Sequence, residues 1–170
     1  MNYVAVGALI AASLSALLFT LPDHARVERT AVVSAPPAVV YQLVSTTSGF
    51  NRFNPFRDAD PELSIAASGP DAGVGASFAW EGPSGAGSQT IVEAVPDARV
   101  VMQLDLGFAG RPVQSFTISP APGGTQVTWA LDADFAGNPA RRVFGLFLDR
   151  HLGPMYEAGL SKLDRLAAGS

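Results

Sequence analysis

Cysteine is absent from the 170 residues, and histidine occurs only at His24 and His151. The first absence removes disulfides, a thiolate nucleophile and soft-metal ligation, and it leaves the redox compartment unmarked. The two histidines lie far apart and no carboxylates have metal-site spacing, so neither a metal nor another cofactor is expected. Charge is scarce too: 15% of residues are Asp, Glu, Lys or Arg, and the formal net charge is −4. Without clustered Lys and Arg the chain has no means of displacing counterions from a polyanion, and nucleic-acid binding is not expected. Its glycine-rich turns match neither G-x-x-x-x-G-K-[ST] nor a strand-linked G-x-G-x-x-G, so nucleotide binding has no support.

One absence is local. No charged side chain precedes Asp23, and MNYVAVGALIAASLSALLFTLP holds an apolar run from about Tyr3 to Leu21. At 1.5 Å per helical residue this run crosses a hydrocarbon core of about 30 Å. We therefore expect residues 1–22 to form a single-pass transmembrane anchor, meeting the membrane through residues 3–21, and residues 23–170 to form one domain. A cleaved secretory peptide is the competing reading; the missing basic leader and the length of the run weigh against it. A buried core helix is a third. Small residues recur at four-residue spacing (Gly7, Ala11, Ser15), which suits close helix packing in lipid and equally any alanine-rich helix. Arg26 and Arg29 favour a cytoplasmic C-terminal flank, but the charge bias leaves the side of the membrane open.

What is present beyond residue 23 is periodic. RVERTAVVS, from Arg26 to Ser34, alternates as a half-buried strand does, and Pro36–Pro37 ends it and starts a short helix over Ala38–Val44. In SGFNRFNPF, Phe50, Phe53 and Phe56 stand three apart, and Pro55 stops the turn of helix that carries the first two. Six strands are expected at Glu62–Ala67, Val74–Glu81, Ser88–Val95, Arg99–Leu106, Val113–Ser119 and Gln126–Phe135, joined by Gly-, Pro- and Asp-bearing turns. From Pro139 to Ala168 apolar residues recur at helical spacing behind an Asn138–Pro139 cap, with a kink or break expected at Gly153–Pro154. Each strand has one apolar face, which needs a covering layer, and the terminal helix supplies it.

Four stretches, in this order, carry a family likeness: VERTAVVSAPPAVVYQLV, FNRFNPF, GGTQVTWALDAD and GPMYEAGLSKLDRL. The chain resembles the START-like (SRPBCC) superfamily of the polyketide cyclase/dehydrase and lipid-transport type, over roughly Val27 to Leu166. The resemblance implies an α+β helix-grip fold, a seven-stranded antiparallel curved sheet wrapped around a long C-terminal helix and here preceded by one transmembrane helix. It also implies a cavity for a lipid or other hydrophobic small molecule. It names no single reaction.

Cavity candidates are Phe50, Phe53, Phe56, Phe78, Trp80, Trp129, Phe144, Phe147, His151 and Met155, each of which fits a filled core as well. The leading expectation is a non-catalytic, membrane-anchored binder of a hydrophobic molecule. An enzyme of the cyclase or dehydrase type, pairing His151 with Glu81 or Asp132, is the second. An envelope interaction module with a filled core is the third. Asp132 and Asp134 on one strand face, and His151 itself, read equally well as solvated surface. Arg111, Arg141 and Arg142 are candidates for an anionic head group, with plain exposure as the alternative.

Overall fold

The computed structural model describes residues 20–135 and 137–169. Nearly all of the expected anchor lies outside them, and among the described residues no helix is long and apolar enough to cross a membrane. Chain order is β1 (His24–Val33), α1 (Pro37–Val44), α2 (Thr47–Phe53), α3 (Pro55–Ala59), β2 (Ser64–Ser68), β3 (Ser77–Gly82), β4 (Gly85–Val95), β5 (Arg99–Asp105), β6 (Val113–Ala121), β7 (Gly124–Asp134) and α4 (Pro139–Ala168). The strands form one antiparallel sheet in the order β1-β7-β6-β5-β4-β3-β2. Strands adjacent in sequence are adjacent in space, except that β1 closes against β7.

Alternation decides which face is buried. On β7, Val127, Trp129, Leu131 and Ala133 point inward while Gln126, Asp132 and Asp134 stay exposed. Registers β1–β7 and β6–β7 put Val27 beside Leu131 and Phe116 beside Trp129, so the inner face is continuous across strands. β3 begins at Ser77 rather than Val74: Gly73 and Gly75 hold φ of 73° and 92°, outside strand geometry, and Val74 is left 60% exposed. β4 begins early, at Gly85, because Gly87 leaves room for the Trp80 indole; a Cβ there would lie 2.5 Å from Cζ2.

Three short helices follow β1 where two were expected, since Pro55 both ends α2 and opens α3. Thr46 caps α2, its Oγ1 accepting from Gly49 N at 3.1 Å. The Thr46→Ala variant should lose about 1 kcal/mol, read as a lower urea midpoint at unchanged slope.

The helix α4 runs through Gly153 and Pro154 without interruption, so the expected break is absent. Packing over the following turns holds it: Tyr156, Leu160 and Leu163 are buried against the sheet at helical spacing. Two glycines set how closely it approaches. A Cβ on Gly153 would collide with the Arg29 guanidinium, and one on Gly159 would lie 2.5 Å from Trp129 Cζ3. The core sits in this interface, between the inner face of the sheet and all four helices.

Candidate functional site: a buried polar row under the long helix

The interface expected to be hollow is filled. Trp129 is fully buried and stacks on Tyr156 of α4, ring centroids 4.1 Å apart and planes 12° apart. Phe116 lies 4.9 Å away on its strand side, and Phe50 and Phe53 of α2 meet the indole edge-on at 6.0 Å each. Phe78 stacks on Phe50 at 5.7 Å. Of the expected cavity residues, Phe50, Phe53, Phe78 and Trp129 thus come together, as packing. Phe56 and Trp80 are half-buried against the same core, and Met155 is half-buried on α4.

Phe144, Phe147 and His151 do not join them. Phe144 and Phe147 are 53% and 58% exposed, and His151 is exposed as well. They lie beside its Leu148–Leu152–Tyr156 stripe rather than on it, about 40° (Phe144), 60° (His151) and 100° (Phe147) around the helix from Leu148 on the side away from Leu152. The proposed catalytic pair fails on the same ground. Glu81 is exposed, and Asp132 is an outer-face residue whose carboxylate accepts from Arg26 Nη1 at 2.7 Å. Asp134 is exposed beside His24, 3.9 Å away. Arg111 pairs with Asp105 at 3.4 Å.

Beneath the aromatic stack lies a feature that the sequence reading did not single out. Gln89 of β4, Met102 of β5 and Gln114 of β6 all face inward and are buried. The Tyr156 hydroxyl donates to Gln114 Oε1 at 3.2 Å, and Gln114 Nε2 reaches Gln89 Oε1 and Met102 Sδ at 3.4 Å each. Gln89 Nε2 donates to the same sulfur at 2.9 Å. The two contacts that involve only oxygen and nitrogen atoms, Tyr156–Gln114 at 3.2 Å and Gln114–Gln89 at 3.4 Å, are longer than ordinary hydrogen bonds, with modes near 2.8–3.0 Å. The Trp129 indole N–H meets no acceptor in hydrogen-bond geometry. Burial pushes the Tyr156 hydroxyl well above its ordinary value of 10.0, an effect opposed in part by the nearby indole N–H. Tyr156 is therefore a neutral donor throughout the physiological range.

An apolar interior ordinarily satisfies each polar group it encloses, because an unpaired one costs about 1–3 kcal/mol. This row does so loosely. It offers hydroxyl, indole and amide donors beside amide acceptors, and it carries no charge. Such a set matches a neutral hydroxyl or carbonyl on an otherwise apolar molecule. The available signal in the sequence was parity: Gln89 and Gln114 occupy the positions two before the inward Ile91 and Phe116.

Arg29 fastens α4 over this row from the edge strand. Its Nε donates to Glu157 Oε1 at 2.7 Å and its Nη1 to Asp149 Oδ1 at 2.8 Å, one helical turn to either side of Gly153. The guanidinium holds the Asp149 carboxyl below its ordinary value of 3.8. A depressed carboxylate stabilises the fold above its unfolded pKa, and that contribution is lost as pH falls through the folded one. Asp149→Asn should accordingly be slightly less stable than the parent at pH 7 and indistinguishable from it near pH 2, measured by thermal unfolding. The effect is small because both carboxylates are largely exposed.

Two open depressions, of about 450 and 420 Å³, are lined respectively by residues at the end of β1, β6 and β7 and by residues between the β1 edge and α4. Neither reaches the polar row. Among the described residues no group of His, Asp and Glu could hold a metal ion.

Comparison with known proteins agrees with this architecture. Solved structures with the same fold include protein CV1439 from Chromobacterium violaceum, at 20% identity and a TM-score of 0.54, covering 85% of this chain and 97% of that one. Protein Ms6760 from Mycobacterium smegmatis aligns at 17% identity and a TM-score of 0.59, over 89% and 94% of the two chains. The di-domain ARO/CYC StfQ of the steffimycin biosynthetic pathway aligns at 12% identity and a TM-score of 0.64; the match covers 86% of this chain and about half, 52%, of StfQ. These identities show the fold alone. No curated protein matches the sequence. Residues 24–168, which span the whole helix-grip architecture from the first strand to the end of α4, match the profile of the family described as polyketide cyclase / dehydrase and lipid transport, and the chain belongs to that family.

Proposed function

We propose that this protein is a single-pass membrane-anchored domain that binds a neutral hydrophobic molecule between its sheet and α4. The observation that carries the reading is the loosely bonded Tyr156–Gln114–Gln89 row, with the unpaired Trp129 N–H beside it, in an otherwise apolar interior. Family membership supports a hydrophobic ligand, and the charge-free run ahead of Asp23 supports the anchor.

Binding requires the interface to open, and α4 is unevenly held. No residue from Pro139 to Phe147 is buried, whereas Tyr156, Gly159, Leu160, Leu163 and Ala167 are. The weak half meets the strong half at Gly153–Pro154, where Pro154 has no N–H for the helical ladder. The first half lifts and the ligand's polar end replaces the long contacts of the row. Affinity is reduced by the fraction of time spent closed.

The test is mass spectrometry of lipids that accompany the full chain in mild detergent, together with titration by a pyrene-labelled monoacylglycerol. Gln114→Leu and Tyr156→Phe should each weaken the probe about three- to tenfold, the equivalent of one net hydrogen bond. No co-purified lipid and no probe binding would overturn the reading. The filled interior favours a second reading, an interaction module without a ligand, and that same null result would support it.

A further inference from the structure

We infer that the first half of α4, together with the β5–β6 turn, is a membrane-docking face that rests on the bilayer surface beside the anchor. The inference rests on the anchored reading above and goes beyond it, because an anchor alone would leave the domain free to tumble at the end of a tether.

Three observations lead here. First, α4 changes character along its length. Its second half exposes Glu157, Ser161 and Arg165, as a soluble helix should, but its first half exposes Val143, Phe144, Leu146 and Phe147, between 39% and 58%. Phe108, in the turn between β5 and β6, is 79% exposed and lies under the Arg141 guanidinium, Cζ being 5.3 Å from the ring centroid. That contact ties the turn to the first turn of α4. Exposed aromatics grouped in this way are uncommon on a free protein surface.

Second, the apolar run reaches the domain at this place. Arg142 Nη1 donates to the Leu21 carbonyl at 3.0 Å, and Phe135 N donates to the Asp23 carbonyl at 2.6 Å. Leu21 is the last residue of the membrane-crossing run. Phe144 and Phe147 follow Arg142 by about 3 and 8 Å along the helix axis. A chain that leaves the bilayer at Leu21 brings these rings to the lipid surface without further reach.

Third, the charge fits. The whole chain is at −4, yet Arg141, Arg142 and Arg150 are gathered on this half of α4, and its one acidic residue, Asp149, is held by Arg29. Aromatic rings at the headgroup level with arginines beside them are the chemistry of an interfacial helix on anionic lipid. The docked half is also the half that must lift for a ligand to enter.

The absence of native cysteine allows single-site labelling of the full chain. Phe147→Cys and, as a control on the polar half, Ala158→Cys are labelled with NBD and reconstituted into vesicles of phosphatidylcholine and phosphatidylglycerol. The probe at position 147 should show a blue-shifted emission and stronger quenching by a shallow than by a deep acyl-chain spin label, as fits burial of about 5–10 Å. The probe at position 158 should report water. Adding Phe144→Asp should abolish the shift at 147.

A probe at 147 that reports water, or one shielded from water and from both spin labels, would overturn the docking; the latter would mean that a second copy or another part of this chain covers the face. Alkaline carbonate extraction of the same vesicles reports on the anchor separately. A chain that is released while its 147 probe still reads lipid would sink the anchor and keep the docking face. A chain that stays embedded while the probe reads water would do the reverse.

Discussion

Truncation of Trp129 to alanine should cost about 3–5 kcal/mol of unfolding free energy, the range for removing a large aromatic from a core that cannot collapse around the gap. The indole is fully buried and touches Tyr156, Phe116, Phe50 and Phe53 at once, and those rings come from β6, α2 and α4. No single element can move in to fill the space. Against a total stability of 5–15 kcal/mol, typical of such domains, the loss is a large fraction. Urea unfolding of the full chain in mild detergent, followed by far-ultraviolet circular dichroism, measures it. The magnitude also discriminates: a loss near 1 kcal/mol would mean that the indole borders an empty chamber rather than a packed interior. Added indole should raise the melting temperature of Trp129→Ala and leave the parent unchanged, because a dry apolar gap accepts a small aromatic.

Gly159→Val should be the second large effect, about 3 kcal/mol, toward the upper end of overpacking losses. Alanine at a helical glycine ordinarily gains about 0.5–1 kcal/mol. Here that gain is overridden, because the added Cβ would stand 2.5 Å from a rigid indole carbon and 3.3 Å from Pro55. The helix must then move off the sheet. Since the obstacle is one ring, the two sites are coupled, and Gly159→Val should cost much less in the Trp129→Ala background. Additive losses in the double mutant would show that some other contact fixes the helix height.

Much of the architecture was legible because strand and helix periods are local properties. The alternation Val127, Trp129, Leu131, Ala133 named the buried face of β7 without reference to any partner. The Asn138–Pro139 start of α4 was equally local: Asn138 Oδ1 accepts from Ala140 N at 3.0 Å, as an N-cap does. The errors came where a long-range choice decides. In the first half of α4 two apolar stripes run side by side, and helical spacing cannot say which of them meets the sheet. Leu148 and Leu152 do, while Phe144 and Phe147 do not. The loss of Val74–Ala76 from β3 follows from positive φ at Gly73 and Gly75, which sequence permits but does not demand. Gln89 and Gln114 were passed over because glutamine reads as surface, and their contacts lie 25 residues apart in the chain.

The pairing of β1 with β7 sets the order of events during synthesis. His24 finds its partner Asp134 only after roughly a hundred further residues have been made. At typical elongation rates of about 5–20 residues per second, that interval is on the order of 5–20 s. Throughout it the opening strand has an unsatisfied backbone edge, and hairpins β3–β4 and β5–β6 form without it. Nascent-chain protection therefore matters most for residues 24–33, the segment emerging directly behind the apolar run.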